Sequence, residues 1–395
     1  MPNPWPVVSL GELLTPVSRP EPVNAEKTYH ILGAHWYAQG LYTKEVTAGT
    51  GVRANALYRV EQGDFVYNRL FAWKGSFALA NKQNHGCYVS NEFPCFAVNA
   101  SRLDGQFLFR YFSRSSIWDD ALSESTGGTP TSRNRLKEGK FLAFKIPLPP
   151  LDEQRRIVAR IEQLAAKIED ARHVRQTAMQ EAETYRESAA AVALDCRGAT
   201  TVGDFIRIQS GYAFKSEWFT STGIRLVRNV NIGHGSINWD QTARIPGERH
   251  SEFSAFELHH GDVLISLDRP IISTGVKVAM VKQGDIPSLL LQRVGRAQFL
   301  NDRVLSDFFF AWLRSPHYAR SIDPGRSNGV PHISPNDVER ISFSPPPVNS
   351  QRRIVAYLDN LQAKVDALKR LQAETAAELD ALLPSILDKA FRGEL

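Results

Sequence analysis

Two stretches of the chain space their apolar residues by alternating threes and fours, and two longer stretches before them do not. In the first, apolar positions fall at Ile157, Ile161, Leu164, Ile168 and Ala171, then Ala178, Ala182, Tyr185, Ala189 and Val192. In the second they fall at Ile354, Leu358, Leu361, Val365 and Leu368, then Leu379, Leu383 and Ile386. This is the stripe of a coiled-coil seam. It predicts helices over 152–196 and 349–392, neither with a glycine inside. At 1.5 Å per residue each would reach ~60 Å, long for a helix serving one domain. The two are therefore read as partners, with two separate surface helices as the other reading. Each follows a proline-rich stop, Ile146-Pro147-Leu148-Pro149-Pro150 or Ser344-Pro345-Pro346-Pro347. Asp152 and Asn349 stand where a side-chain oxygen can satisfy first-turn N–H groups. Arg175 and Gln372 interrupt the stripe, and Pro384 is expected to kink or end the second helix.

The longer stretches are mixed. Short apolar runs separated by Gly, Asn and Asp predict strands across 57–98, 225–245 and 262–281, while 107–112 and 308–313 fall in predicted helices. The whole pattern occurs twice. Pro149-Pro150-Leu151-Asp152-Glu153-Gln154-Arg155-Arg156-Ile157-Val158-Ala159 returns 197 residues later as Pro346-Pro347-Val348-Asn349-Ser350-Gln351-Arg352-Arg353-Ile354-Val355-Ala356. Gly63-Asp64-Phe65-Val66 returns as Gly261-Asp262-Val263-Leu264, and Leu10-Gly11-Glu12-Leu13 as Val202-Gly203-Asp204-Phe205. Matches in one order at nearly one offset make the chain two copies of one unit. Its segments are a globular block at 1–150, a helix at 151–198, a second block at 199–347 and a second helix at 348–395.

Charge sharpens this division. The blocks carry 16 basic against 12 acidic and 16 against 14 side chains, and the helices 8 against 9 and 7 against 7. The excess of the whole chain, +5, thus sits in the blocks, as a nucleic-acid reader requires. No apolar run approaches a membrane span. The N-terminus lacks the form of a signal peptide, and three cysteines without a CxxC pair suit a reduced, cytoplasmic protein. There is no Walker-type loop, no GxGxxG after a strand, no methyltransferase-like Asn/Asp-Pro-Pro-aromatic tetrapeptide and no histidine cluster at metal spacing. The pattern points to binding rather than chemistry.

The junction Pro149-Pro150-Leu151-Asp152-Glu153-Gln154-Arg155-Arg156-Ile157, its copy with Ser350 in place of the Glu, Gly261-Asp262-Val263-Leu264-Ile265, Gly211-Tyr212-Ala213-Phe214 and the ending Lys389-Ala390-Phe391-Arg392-Gly393-Glu394-Leu395 together resemble the DNA-specificity (S) subunit of type I restriction–modification enzymes. The resemblance covers nearly the whole chain and is weakest over 1–57. It implies an α+β fold of two mixed α/β target-recognition domains in tandem, each followed by a long helix, the helices pairing as an antiparallel coiled coil. It implies double-stranded DNA as ligand, each domain reading half of a bipartite asymmetric site. Two methyltransferase (M) subunits and motor–nuclease (R) subunits are the implied partners. The chain itself would be non-catalytic and hold no cofactor, with S-adenosylmethionine, ATP and Mg on the partners. A stand-alone two-headed DNA-binding regulator and a coiled-coil adaptor without a DNA role remain open.

DNA readers need Arg or Lys for phosphates and Arg, Asn, Gln, Ser or Thr for base edges. In the first block, candidates are Asn68, Arg69 and Lys74, which lie among aromatics, and Thr131, Ser132, Arg133, Asn134 and Arg135 in a glycine-flanked loop. In the second they are Lys215, Arg228, Asn229, Asn231, Arg269, Arg326, Ser327, Asn328 and His332. Arg269 is taken to stand where Asn68-Arg69 stands in the first copy. Trp73 is read as core.

Overall fold

Strands of two to eight residues can bury little alone and must stack into sheets against helices. The computed structural model shows this arrangement twice. It describes residues 5–127, 134–273, 275–322 and 332–395. The chain divides into two units, Met1–Gln176 with Gln372–Leu395, and Thr177–Leu371. The α-helices among the described residues are α1 (Gly105–Tyr111), α2 (Ser115–Ser123), α3 (Glu138–Leu142), α4 (Leu151–Ala193), α5 (Ser306–Leu313), α6 (Pro316–Ser321), α7 (Pro335–Glu339) and α8 (Val348–Phe391).

In the first unit, an antiparallel sheet runs in the order Leu14–Val17, Cys95–Val98, Phe65–Tyr67, Phe77–Leu79. A five-stranded sheet runs Pro20–Pro22, Ala56–Arg59, Tyr88–Val89, Thr28–Ala34, Leu41–Ala48, and its last two strands form a long hairpin. The core is aromatic: Phe65, Tyr67, Phe77, Phe96, Phe107, Phe112 and Phe141 are fully buried, each burial stabilising by about 1.5–3 kcal/mol. The end of α8 closes it, with the Phe391 ring 5.0 Å from Phe107 and 5.3 Å from Tyr111.

The second unit has a five-stranded sheet in the order Ile206–Ser210, Val294–Phe299, Val263–Ser266, Val278–Met280, His234–Gly235. A three-stranded sheet places Ile224–Val227 between Ala243–Ile245 and Ser288–Leu290. Phe308, Phe309, Trp312, Tyr318 and Phe343 fill the core.

Each long helix starts on the same latch. Gln154 is fully buried; its amide donates to the carbonyls of Pro149 (2.8 Å) and Arg102 (2.9 Å) and its carbonyl accepts from Asp104 N (2.8 Å). Gln351, also fully buried, repeats this on Pro346 (2.7 Å), Arg303 (2.7 Å) and Leu305 N (2.9 Å). The shared Gln of the two copies is thus a bolt between the helix start and the segment before α1 or α5. Capping by Asp152 and Asn349 is not found. The helices begin at Leu151 and Val348, and the carbonyls of Pro150 and Pro347 accept the first-turn N–H groups.

The helices pair antiparallel. In the first unit Arg172 meets Asp380 at 2.7 Å; in the second Lys369 meets Glu183 at 2.6 Å. These four residues are the same pair of positions displaced by 197, so the ion pair recurs with the helices exchanged. Exposed pairs of this kind are worth about 0–1 kcal/mol and serve mainly to fix register. The two seam breakers meet: Arg175 Nη2 donates to the Gln372 carbonyl (2.5 Å) and Gln372 Nε2 to the Arg175 carbonyl (3.0 Å). The stripe is not buried throughout. Val192 is exposed, and Tyr185, also exposed, reaches the Tyr357 hydroxyl at 3.3 Å. Pro384 does not end α8. It lies on the exposed face, and Leu387, Ala390 and Phe391 beyond it are buried in the first unit's core. That burial outweighs the lost hydrogen bond.

Candidate nucleic-acid interface

The strand Phe65–Tyr67 ends at a place where three loops are tied by backbone hydrogen bonds. Arg69 N donates to Glu92 O (3.0 Å), and Leu136 N donates to Arg69 O (3.0 Å). The second unit repeats the frame: Leu267 N donates to Arg293 O (2.9 Å) and Ile333 N to Leu267 O (3.1 Å). Arg69 therefore matches Leu267 in the backbone. Counting on from there, Phe71 rather than Asn68-Arg69 corresponds to Arg269, which corrects the alignment made from sequence.

In the first unit several candidates are occupied internally. Asn68 Oδ1 accepts from Leu70 N (2.9 Å), forming the turn. The Arg69 guanidinium spans from the Asn91 carbonyl to the Glu138 carboxylate. Burial, the largest single influence, would raise the Glu138 carboxyl, but the Arg69 hydrogen bond, a backbone hydrogen bond and the charges of Arg69 and Arg135 together leave the group below its ordinary value. Asn134 is buried and does not offer its amide to solvent. Arg135 donates to Glu92 (2.5 Å), and its backbone bridges to Thr126. Lys74 lies over the Trp36 ring at 3.8 Å. Trp73 donates from Nε1 to the Leu70 carbonyl (3.0 Å), a strut under the loop.

In the second unit Arg269 is exposed, at a left-handed φ of 47°. Beside it the buried Asp268 carboxylate accepts from Arg293 Nη1 (3.3 Å) and lies 3.0 Å from His332 Nδ1. Asn229 Oδ1 accepts from Lys277 Nζ (2.9 Å) and the Ser266 hydroxyl. Burial lowers the Lys277 ammonium below its ordinary value. Arg228 donates to the Gln241 carbonyl. Asn231 is only 1% exposed, with its amide on the Asn238 (2.8 Å) and Gln241 (3.1 Å) carbonyls; it holds a turn and does not reach outward. Lys215 is exposed, 3.8 Å from Glu217, apart from this group of contacts. Thr131, Ser132, Arg133, Arg326, Ser327 and Asn328 lie outside the described residues.

Four residues at these frames are absent from the sequence-based set. Arg293 and Lys277 join through Asp268 and Asn229, partners 25 and 48 residues away. Trp36 and Tyr37 sit at the tip of the hairpin between Thr28–Ala34 and Leu41–Ala48, and the run His35-Trp36-Tyr37 before Gly40 was the available signal. Among the described residues no group of His, Cys, Asp and Glu could hold a metal ion, and no helix is long and apolar enough to cross a membrane.

A family model for the type I restriction modification DNA specificity domain matches residues 2–176 and again 199–376. The chain is 44% identical to the type I restriction enzyme EcoAI specificity subunit of Escherichia coli over 189 residues, which span 48% of this chain and 32% of that protein. It is 23% identical to the MjaVIII specificity subunit of Methanocaldococcus jannaschii, across 95% of this chain and 89% of that one. The fold is similar to the HsdS subunit from Thermoanaerobacter tengcongensis, with a TM-score of 0.70 and 25% identity over 100% of this chain and 98% of that one. A chain from a type I R-M system solved for its complex assembly and conformational transition gives a TM-score of 0.69 and 26% identity, with both chains fully covered.

Proposed function

The chain belongs to the type I restriction–modification DNA specificity family, and from that premise we propose that it is the sequence-specific DNA-binding subunit of such a complex. Each recognition domain, 1–150 and 199–347, reads one half of a bipartite, asymmetric target. The observation that carries this reading is the repeated frame of three loops. It has the same backbone hydrogen bonds in both units and different side chains upon it, Arg69, Glu92 and Glu138 in one and Asp268, Arg293 and His332 in the other. One mount with two chemistries suits two unlike half-sites.

The helical segments 151–198 and 348–395 set the spacing between half-sites and dock two methyltransferase subunits. Support for docking comes from apolar side chains the helices leave exposed: Val174 and Leu382 in the first unit, and Val192, Tyr357 and Leu371 in the second. The chain is non-catalytic and works in the cytoplasm. S-adenosylmethionine belongs to the methyltransferase subunits, and ATP and Mg to the motor–nuclease subunits.

The test is expression with a methyltransferase subunit of the same system, followed by sequencing of methylated adenines. A bipartite motif with a fixed spacer is expected. Removing seven residues from each helix shortens it by ~10.5 Å, about three base pairs at 3.4 Å each, and the spacer should change. Methylation without a bipartite motif, or an unchanged spacer, would refute the respective half of the proposal. DNA binding with no methyltransferase recruited would favour the stand-alone regulator.

A further inference from the structure

The hairpin tip of the first unit gathers exposed aromatic side chains on a constrained backbone. Trp36 is 41% exposed and Tyr37 59%, and Phe71, from the loop that carries Arg69, is 36% exposed. The Trp36 ring lies 5.6 Å from Phe71 and 6.5 Å from Tyr37. Tyr37 and Ala38 are consecutive left-handed residues, at φ 60° and 52°. Non-glycine residues avoid this conformation, and a bulky one holds it only where the surroundings impose it.

Here they do. Tyr37 N donates to Lys74 O and Ala38 N to Gly75 O, both at 2.7 Å. Gly75 itself has φ 71°, and a Cβ there would overlap the Trp118 indole. Trp118 is fixed by its Nε1 hydrogen bond to the Phe112 carbonyl (2.7 Å) and supports the Tyr37 ring from 5.8 Å. The tip is thus a rigid mount that holds an aromatic ring in solvent at the edge of the candidate interface. The Lys74 ammonium over Trp36 adds a cation at the same spot.

We propose that this tip is a wedge for duplex DNA: the Tyr37 ring enters a base step of the half-site read by the first unit, backed by Trp36 and Phe71, while Lys74 meets the adjacent phosphate. The inference rests on the DNA-binding reading above. Apolar side chains inserted between base pairs deform the duplex and give specificity at positions without base-edge contacts. A protein partner fits less well. Beyond the tip the strand Leu41–Ala48 exposes Tyr42 and Val46, but Thr43, Lys44 and Glu45 stand between them, so no continuous apolar face of the size a stable protein interface needs extends from the tip.

The experiment uses the full chain with its methyltransferase and a duplex bearing the motif found by methylation sequencing. 2-Aminopurine replaces bases one at a time along the first unit's half-site. Besides the target adenine, which the methyltransferase itself extrudes, wild type is expected to raise the fluorescence at one further step, which reports unstacking by the tip. Tyr37→Gly removes the ring and suits the left-handed backbone, so folding is preserved. It should abolish that rise and weaken specific binding by roughly tenfold to a hundredfold, the size of a lost base-stacking contact. Tyr37→Phe should keep the rise. Specific binding by wild type without any unstacked step other than the target adenine overturns the wedge alone, as does Tyr37→Gly with unchanged fluorescence and affinity. Loss of the methyltransferase on purification of Tyr37→Gly would make the tip a protein interface and overturn it too. If wild type binds no duplex specifically, the DNA reading falls and the wedge with it.

Discussion

Gln154 offers the cleanest test of how the two copies are held. Its side chain is fully buried and satisfies three backbone groups, the carbonyls of Arg102 and Pro149 and the N–H of Asp104. Gln154→Ala strips all three of their partner at once. A buried polar group left unpaired costs about 1–3 kcal/mol. The space vacated by the amide can admit a water, so the lower figure per group applies, about 3 kcal/mol in total. That is more than a hundredfold in the local opening equilibrium at about 1.4 kcal/mol per tenfold. Hydrogen exchange followed by mass spectrometry on the full chain should show faster exchange in α1 and the first turns of α4. Segments of the second unit should be unchanged. Gln351→Ala should give the mirror result, with α5 and the start of α8 affected. Gln154→Glu keeps the shape but turns an oxygen toward two carbonyls. Protonation restores one donor, so the folded-state pKa of the new carboxyl must lie above its unfolded value. Its stability is then present at low pH and lost as pH rises through the folded pKa, and the variant should lie closer to wild type at pH 4 than at pH 8. Protection in Gln154→Ala equal to wild type would sink the latch as an explanation of the shared Gln.

Arg269→Gly relaxes a left-handed residue and removes an exposed cation, so thermal stability should hold while specific affinity falls and the salt dependence loses about one phosphate contact; fluorescence anisotropy against salt concentration would measure both. Arg69→Ala removes a strut between loops, so it should lower stability by about 1–3 kcal/mol as well as affinity, and an affinity loss with unaltered urea unfolding would contradict that role. Burial pushes the Cys95 and Cys196 thiols up to about 12. Their folded pKa lies above the unfolded value near 9, so the stability each contributes is present below pH 9 and is lost as pH rises toward 12. Cys95→Ala should therefore show a shallower loss of stability between pH 9 and 12 than wild type, by up to about 1.4 kcal/mol per pH unit, and parallel curves would refute the assignment.

What the sequence reveals depends on whether the cause lies along the chain or across it. The helices were legible because their seam is a one-dimensional period, and the repeat because backbone-forming residues recur at one offset. Even the seam breakers Arg175 and Gln372 were visible as exceptions, though only the antiparallel register shows that they answer each other. Pro384 does not end its helix because a local rule met a stronger distant term, the burial of Phe391 against Phe107 and Tyr111. The candidate interface was harder. Residue type reports that Arg69 and Asn231 carry donors; it does not report that Glu138, Asn91, Asn238 and Gln241 already take them.

That difference has a consequence for how two unlike readers can share one fold. The hydrogen bonds that join the three loops are backbone to backbone in both units, so they constrain no side chain at 69, 92, 136, 267, 293 or 333. Side chains above the frame are then free to differ. Arg69 spends its charge on Glu138, whereas Leu267 at the matching position has none to spend, and Arg269, two residues on, stays exposed where the first unit shows Phe71. The first unit thus presents rings and one cation at its outer edge, and the second presents a guanidinium beside an Asp268–His332–Arg293 cluster. Exchanging Phe71 and Arg269 between the frames should therefore leave both units folded and disturb both half-site preferences. Methylation sequencing that returned the original motif after this exchange would show that the frame, and not what it carries, does the reading.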